Sequence, residues 1–152
     1  MCIRDRYNPT EPNIELQMAE SSAYLALFTS DTDATFSAQL TTLATNLTQS
    51  ALKTSPNHPP FYKTKARIFI LLSTLDEQYL NAADQALAIA STLAPTDPRI
   101  SLNRAIIAKY QKNYPQALLF LQSVQKLKPD TPGLQKQLDD IASISAQIKP
   151  TK

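Results

Sequence analysis

The chain has 152 residues, enough for one domain with a sizeable core. Its apolar fraction of 43% and charged fraction of 18% suit a soluble globular protein. A formal net charge of +2 gives little footing for nucleic acid or an anionic membrane, a single glycine nearly excludes phosphate-cradling loops, and a lone cysteine excludes an intrachain disulfide or cysteine-based zinc site.

Residues 1–6 (MCIRDR) differ in character from the rest of the chain. They read either as a translated adaptor of the kind met in environmental reading frames or as a genuine charged start. In the first case the chain continues a longer protein. Residues 1–12 are expected to form a leader and disordered start, 13–148 the folded domain and 149–152 a tail. A first helix is expected over about 13–29, with Leu16, Ala19, Ala23 and Leu27 at three- and four-residue steps. Glu11 and Glu15 sit near its start, where negative charge suits the helix dipole. After a polar break with cap candidates Asp31 and Asp33, a second helix runs to about Thr54. Its threonines are mediocre helix formers, so the stripe Leu40, Leu43, Ala44, Leu47, Ala51 must hold it by packing.

The break SPNHPP leads into a third helix, about 60–75, with Tyr62, Ala66, Phe69 and Ile70 on its apolar side. A fourth comes next over about 78–93, a fifth over 98–112, a sixth over 114–127 and a last over 131–148. That last helix carries Leu134, Leu138, Ile141, Ile144 and Ile148 on one face and Lys136, Gln137, Asp139 and Asp140 on the other. No run is apolar enough to span a bilayer: the longest, IFILL at 68–72, falls far short of the roughly 20 residues required. An apolar signal-peptide core is likewise missing from the amino terminus.

The prolines at 56, 95 and 129 each close the same pattern. Ala44, Ala83 and Ala117 stand twelve residues before them. Thr48, Leu87 and Leu121 stand eight before, and Ala51, Ala90 and Val124 five before. A recurring unit of this size reads as stacked helical hairpins. Alanine at the hairpin contacts (Ala66, Ala105, Ala83, Ala117) lets paired helices approach, and Phe69, Leu87 and Leu121 fill the holes beside them.

Residues 97–130 resemble a tetratricopeptide repeat through Asn103, Ala105, Tyr114, Ala117, Leu121, Val124, Leu127 and Pro129. Residues 59–95 match through Tyr62, Ala66, Phe69, Ala83, Leu87, Ala90 and Pro95, with a longer internal loop. The first unit rests on Ala44, Ala51 and Pro56. Arg104, Ala108 and Ser101 depart from the family's usual residues. The resemblance implies an all-α fold, a right-handed superhelical stack of about three hairpins (an α-solenoid) with a carboxy-terminal capping helix. It also implies a protein-interaction module rather than an enzyme, with a peptide or partner segment in the groove and no cofactor or metal. The family's register points Lys63, Arg67, Arg99, Asn103, Lys109 and Tyr110 into that groove, which suggests an acidic partner. Related domains of one class clamp a peptide's terminal carboxylate at such positions. Lys63 and Asn103 match that clamp, whereas Arg67, Gly133 and Gln137 depart from it.

The run LAPTDPRISLNRAII (93–107) is also similar to the carboxy-terminal repeat region of O-antigen ligase-type membrane proteins. That implies an alternative role as accessory domain to a glycosyl-transferring enzyme, tethered through an upstream region. The compartment is cytoplasmic by default. Other chemistry finds little support. His58 is the only histidine and lies in a proline-rich turn, so it lacks a partner for metal or nucleophile. Adjacent Asp139 and Asp140 diverge on a helix, and Asp76–Glu77 fit the start of the fourth helix. The sequon at Asn46 lies inside a helix.

Overall fold

The structure, a computed structural model, describes residues 11–147. Within them the chain is all-helical: α1 (Pro12–Thr29), α2 (Ala34–Thr54), α3 (Pro59–Leu72), α4 (Gln78–Leu93), α5 (Pro98–Tyr110), α6 (Tyr114–Leu127) and α7 (Leu134–Gln147). Of the leader and disordered start expected over 1–12, residues 1–10 lie outside the described residues, as do Ile148 and the tail at 149–152, whereas α1 already takes in Pro12.

Local chemistry explains where the helices begin. Proline opens α1, α3 and α5, where its fixed φ is pre-set and its missing N–H costs nothing. The Asp33 carboxylate accepts from the Phe36 N–H at 2.9 Å to start α2, and Asp97 accepts from the Arg99 N–H at 3.0 Å to start α5. Asp76 accepts from the Gln78 N–H at 2.9 Å just ahead of α4, as the Asp76–Glu77 pair suggested. The threonines of α2 satisfy themselves: Thr41, Thr42, Thr48 and Thr54 each donate to the carbonyl four residues back.

Three boundaries differ from the expected ones. α3 ends at Leu72 rather than near 75, since Ser73 and Asp76 N–H groups close its last turn on Phe69 and Leu72. α5 ends at Tyr110 because Lys112 takes φ +58° and the Asn113 N–H reaches back to the Ala108 carbonyl at 2.8 Å. α7 starts at Leu134 rather than 131, directly after Gly133 at φ +74°, a left-handed conformation glycine tolerates.

Helices pair as α1/α2, α3/α4 and α5/α6, and α7 packs on α6. α1 lies on α3 and α4 on α5, which stacks the hairpins. The small residues that define the repeat are sealed: Ala44, Ala66, Ala83 and Ala117 are fully buried and Ala105 almost so. Thr48, Leu87 and Leu121 fill the positions between them. Leu43, expected in the α2 stripe, is instead exposed, and Leu52 one turn beyond Thr48 is buried in its place. On α1, Ala26 rather than Leu27 completes the buried row, because α2 crosses there: the Ser37 hydroxyl donates to the Ala26 carbonyl at 2.8 Å.

Two apolar cores result. The first gathers α1 to α4 and takes Ile100 and Ile107 from α5. The second holds Ala105, Ala108, Ala117, Leu121, Val124, Leu134 and Ile141. Thus α5 is apolar on two sides and forms the wall between them.

Candidate functional site

The first helices of the second and third hairpins, α3 and α5, face each other across a shared depression, and their opening turns set the candidate groove. Pro59 and Pro60 launch α3, which puts Lys63 and then Arg67 one turn apart. The Asp97 cap launches α5, which puts Arg99 and then Asn103 one turn apart. Lys63, Arg67, Arg99 and Asn103 together line a depression of about 340 Å³, with Thr64 and Ile70 between them. Lys109 and Tyr110 lie farther along α5. They line a second depression of about 500 Å³ whose other wall is Gln137, Asp140 and Ile141 of α7. A third depression joins the two, because it touches both Arg67 with Ile70 and Tyr110. All six residues expected in the groove therefore border one run of adjoining hollows.

Electrostatics divide the set. Lys63 donates to the Asp97 carboxylate at 2.7 Å, and Arg67 donates to Glu20 of α1 at 2.7 Å. Burial pushes the Asp97 carboxyl up. The Lys63 hydrogen bond, the Arg99 N–H and the charges of Lys63 and Arg99 outweigh it, so the group sits below the usual aspartate range. Among the described residues, Arg99 and Lys109 form no ion pair within 4.0 Å. Neutralising two of four cations leaves the free positive charge on α5.

Four participants went unread in the sequence. Asp97 and Glu20 sit 34 and 47 residues from the cations they bind, and only the stacking of α1, α3 and α5 brings them together. Lys112 and Asp140 enter the α5–α7 hollow, Lys112 through its left-handed turn. No spacing rule in the sequence signals either.

Outside the groove, Arg104 forks onto Asp84 through Nε at 2.8 Å and a terminal nitrogen at 3.2 Å, and its guanidinium lies 4.4 Å from the Phe120 ring centre. This arginine, a departure from the repeat pattern, ties the second hairpin to the third. Exposed His58 precedes α3 and packs against Phe61 with ring centres 4.1 Å apart. Glu15 is buried between α1 and α2. One carboxylate oxygen accepts from the Ser50 hydroxyl at 2.8 Å, and the other has no hydrogen-bond partner among the described residues. Asp139 and Asp140 are exposed, Asp139 accepting from Gln135. Among the described residues no group of three or more His, Cys, Asp or Glu could hold a metal, and no helix is long and apolar enough to cross a membrane.

Comparison with solved structures places this architecture. The TPR domain of Sgt2 from Aspergillus fumigatus superposes with a TM-score of 0.62 at 12% identity, over 94% of this chain and 89% of that one. The first TPR of Spaghetti (RPAP3), solved bound to the HSP90 peptide SRMEEVD, gives 0.61 at 15% identity over 86% and 94%. The Arabidopsis OM64 TPR domain gives 0.59 at 14% identity over 86% and 98%. No family model matches the sequence, and none of the curated proteins is close enough in sequence to count as a relative. The resemblance of residues 93–107 to O-antigen ligase-type proteins is supported by none of these comparisons.

Proposed function

From the fold it shares with tetratricopeptide-repeat domains, we propose that this chain is a protein-interaction module that binds an extended acidic segment of a partner along α3 and α5. One observation carries this reading: three hollows adjoin through Arg67, Ile70 and Tyr110, and Arg99 and Lys109 stand at them without an ion pair within 4.0 Å among the described residues. A groove with uncommitted cations and apolar floor residues selects a chain that brings carboxylates and aliphatic side chains together. Asn103 adds a neutral donor and acceptor beside Arg99. Lys63 and Arg67 contribute differently. Their own carboxylates hold them in place, so they shape the wall and a ligand carboxylate must share them with Asp97 and Glu20.

Binding of fluorescein-labelled SRMEEVD, read by anisotropy, tests the proposal. The peptide is used with a free and with an amidated carboxy terminus. Specific binding that weakens about tenfold or more with Arg99→Glu is expected, a change of at least about 1.4 kcal/mol. Loss on amidation would place the terminal carboxylate in the hollow by Arg99 and Asn103. Absence of binding for this peptide and for a panel of acidic and neutral peptides, or affinity indifferent to Arg99→Glu and Lys109→Glu, would refute the reading.

A further inference from the structure

Charge alternates along the run of hollows. In the first, between α3 and α5, Lys63, Arg67 and Arg99 supply three cations, and the carboxylates of Asp97 and Glu20 each lie 2.7 Å from one of them. Three positive and two negative groups leave one net positive charge there. The hollow between α5 and α7 sets Lys109 and Lys112 against Asp140, which again leaves one. The middle hollow is bordered by exposed Glu77, just ahead of α4, and by Arg67, whose charge Glu20 already meets. Ile70, Leu71 and Leu80 also line it. From one end to the other the groove is therefore positive, negative and positive.

The compensation in the first hollow is hard to displace. The Lys63 and Asp97 side chains are only 26% and 24% exposed, and the stack holds both in place. Asp97 thus acts at a high effective concentration, which a dissolved carboxylate at micromolar levels does not match. Lys63 and Arg67 keep further N–H donors, but a ligand carboxylate that reaches them sits beside Asp97 or Glu20 and meets like charge. Arg99 and Lys109 carry no such burden, since neither forms an ion pair within 4.0 Å among the described residues. They stand ten residues apart on α5 (109 − 99), a rise of about 15 Å. An extended chain advances about 3.3 Å per residue, so about five residues span the interval.

Given a peptide groove as proposed above, on which this depends, we infer that the groove selects a partner segment with two carboxylates about five residues apart and an uncharged, partly apolar stretch between them, and that Asp97, Glu20 and Glu77 reject a continuous acidic cluster. Lys63 and Arg67 lie one turn apart on α3, a spacing that would suit neighbouring carboxylates. Asp97 and Glu20 fill that paired site from inside the stack. Glu77 repels a carboxylate carried at the middle of the ligand. Discrimination then comes from repulsion set against the wrong segment as well as from attraction for the right one.

Two fluorescein-labelled peptides with blocked ends and the same composition, ELSVSE and LSEEVS, test this by anisotropy with the full chain. ELSVSE is expected to bind about tenfold tighter than LSEEVS. Asp97→Asn combined with Glu20→Gln should raise the affinity for LSEEVS about tenfold and erase the preference, with helical circular dichroism unchanged, because asparagine still caps α5. Glu77→Gln should also strengthen LSEEVS. A purely structural role for the internal carboxylates predicts weaker binding of both peptides in the double variant, and that result overturns the inference. So does a wild-type protein that binds both equally, prefers LSEEVS, or ignores ELSVSE while binding SRMEEVD through Arg99; each of these leaves the groove itself standing. Failure of SRMEEVD, both hexapeptides and the wider panel removes the groove and this selectivity together.

Discussion

Leu87→Ala and Leu121→Ala remove the same atoms from equivalent positions, each eight residues before a repeat-closing proline, yet the structure gives them unequal costs. Both side chains are almost completely buried. Deleting three carbons forfeits about 2–2.5 kcal/mol of transfer free energy in either case. What remains is the void. Leu87 lies inside the larger core, on the helix that packs against α3 and α5, and its removal leaves a dry cavity. Such voids raise the total for Leu→Ala to about 3–5 kcal/mol. Leu121 instead backs the hollow between α5 and α7, so its removal deepens a space already open to water. The cavity term then shrinks, and about 2–3 kcal/mol is expected. Equilibrium urea unfolding followed by helical circular dichroism, with midpoint and slope fitted separately, measures both. Equal costs, or a greater cost at Leu121, would refute the assignment of one leucine to a closed core and the other to a groove wall.

Lys112→Gly should raise stability by about 0.5–1 kcal/mol by relieving a side chain at φ +58°, net of glycine's larger unfolded-state entropy; a lower melting temperature would count against that turn geometry. Asp97 has a depressed folded-state pKa, so its contribution is present above the ordinary aspartate value and is lost as pH falls below about 3.9 through the depressed value. The acid-unfolding curve of Lys63→Met should accordingly flatten in that window, by an amount on the order of the 0.2–1 kcal/mol typical of partly exposed pairs, and an unchanged curve would show that Lys63 does not hold the carboxylate.

The helices were legible because proline, aspartate and alanine each act locally. Proline and aspartate fix starts within a turn, and the alanine-to-proline intervals fix which faces meet. Positions misread were those where a neighbour decides. Leu43 has the right spacing for the α2 stripe, but α1 and α3 do not reach it, and it stays exposed. The α3 pattern omitted Ile68 and Leu72, both sealed by contacts on a second side that a single amphipathic stripe does not anticipate. At the groove, side chains on the right helix face could be named from register. Their charge pairing could not, because Asp97 and Glu20 arrive from other hairpins.

The two-sided burial of α5 sets where this chain can be divided. Its written period restarts at each proline, which invites a cut ahead of Pro98. Such a cut would strip Ile100 and Ile107 from the larger core and uncover the face of α4 on which α5 packs. The packing module is therefore staggered against the written one by a single helix: a grafted or shortened version must end after α5, taking the wall along with the room it encloses.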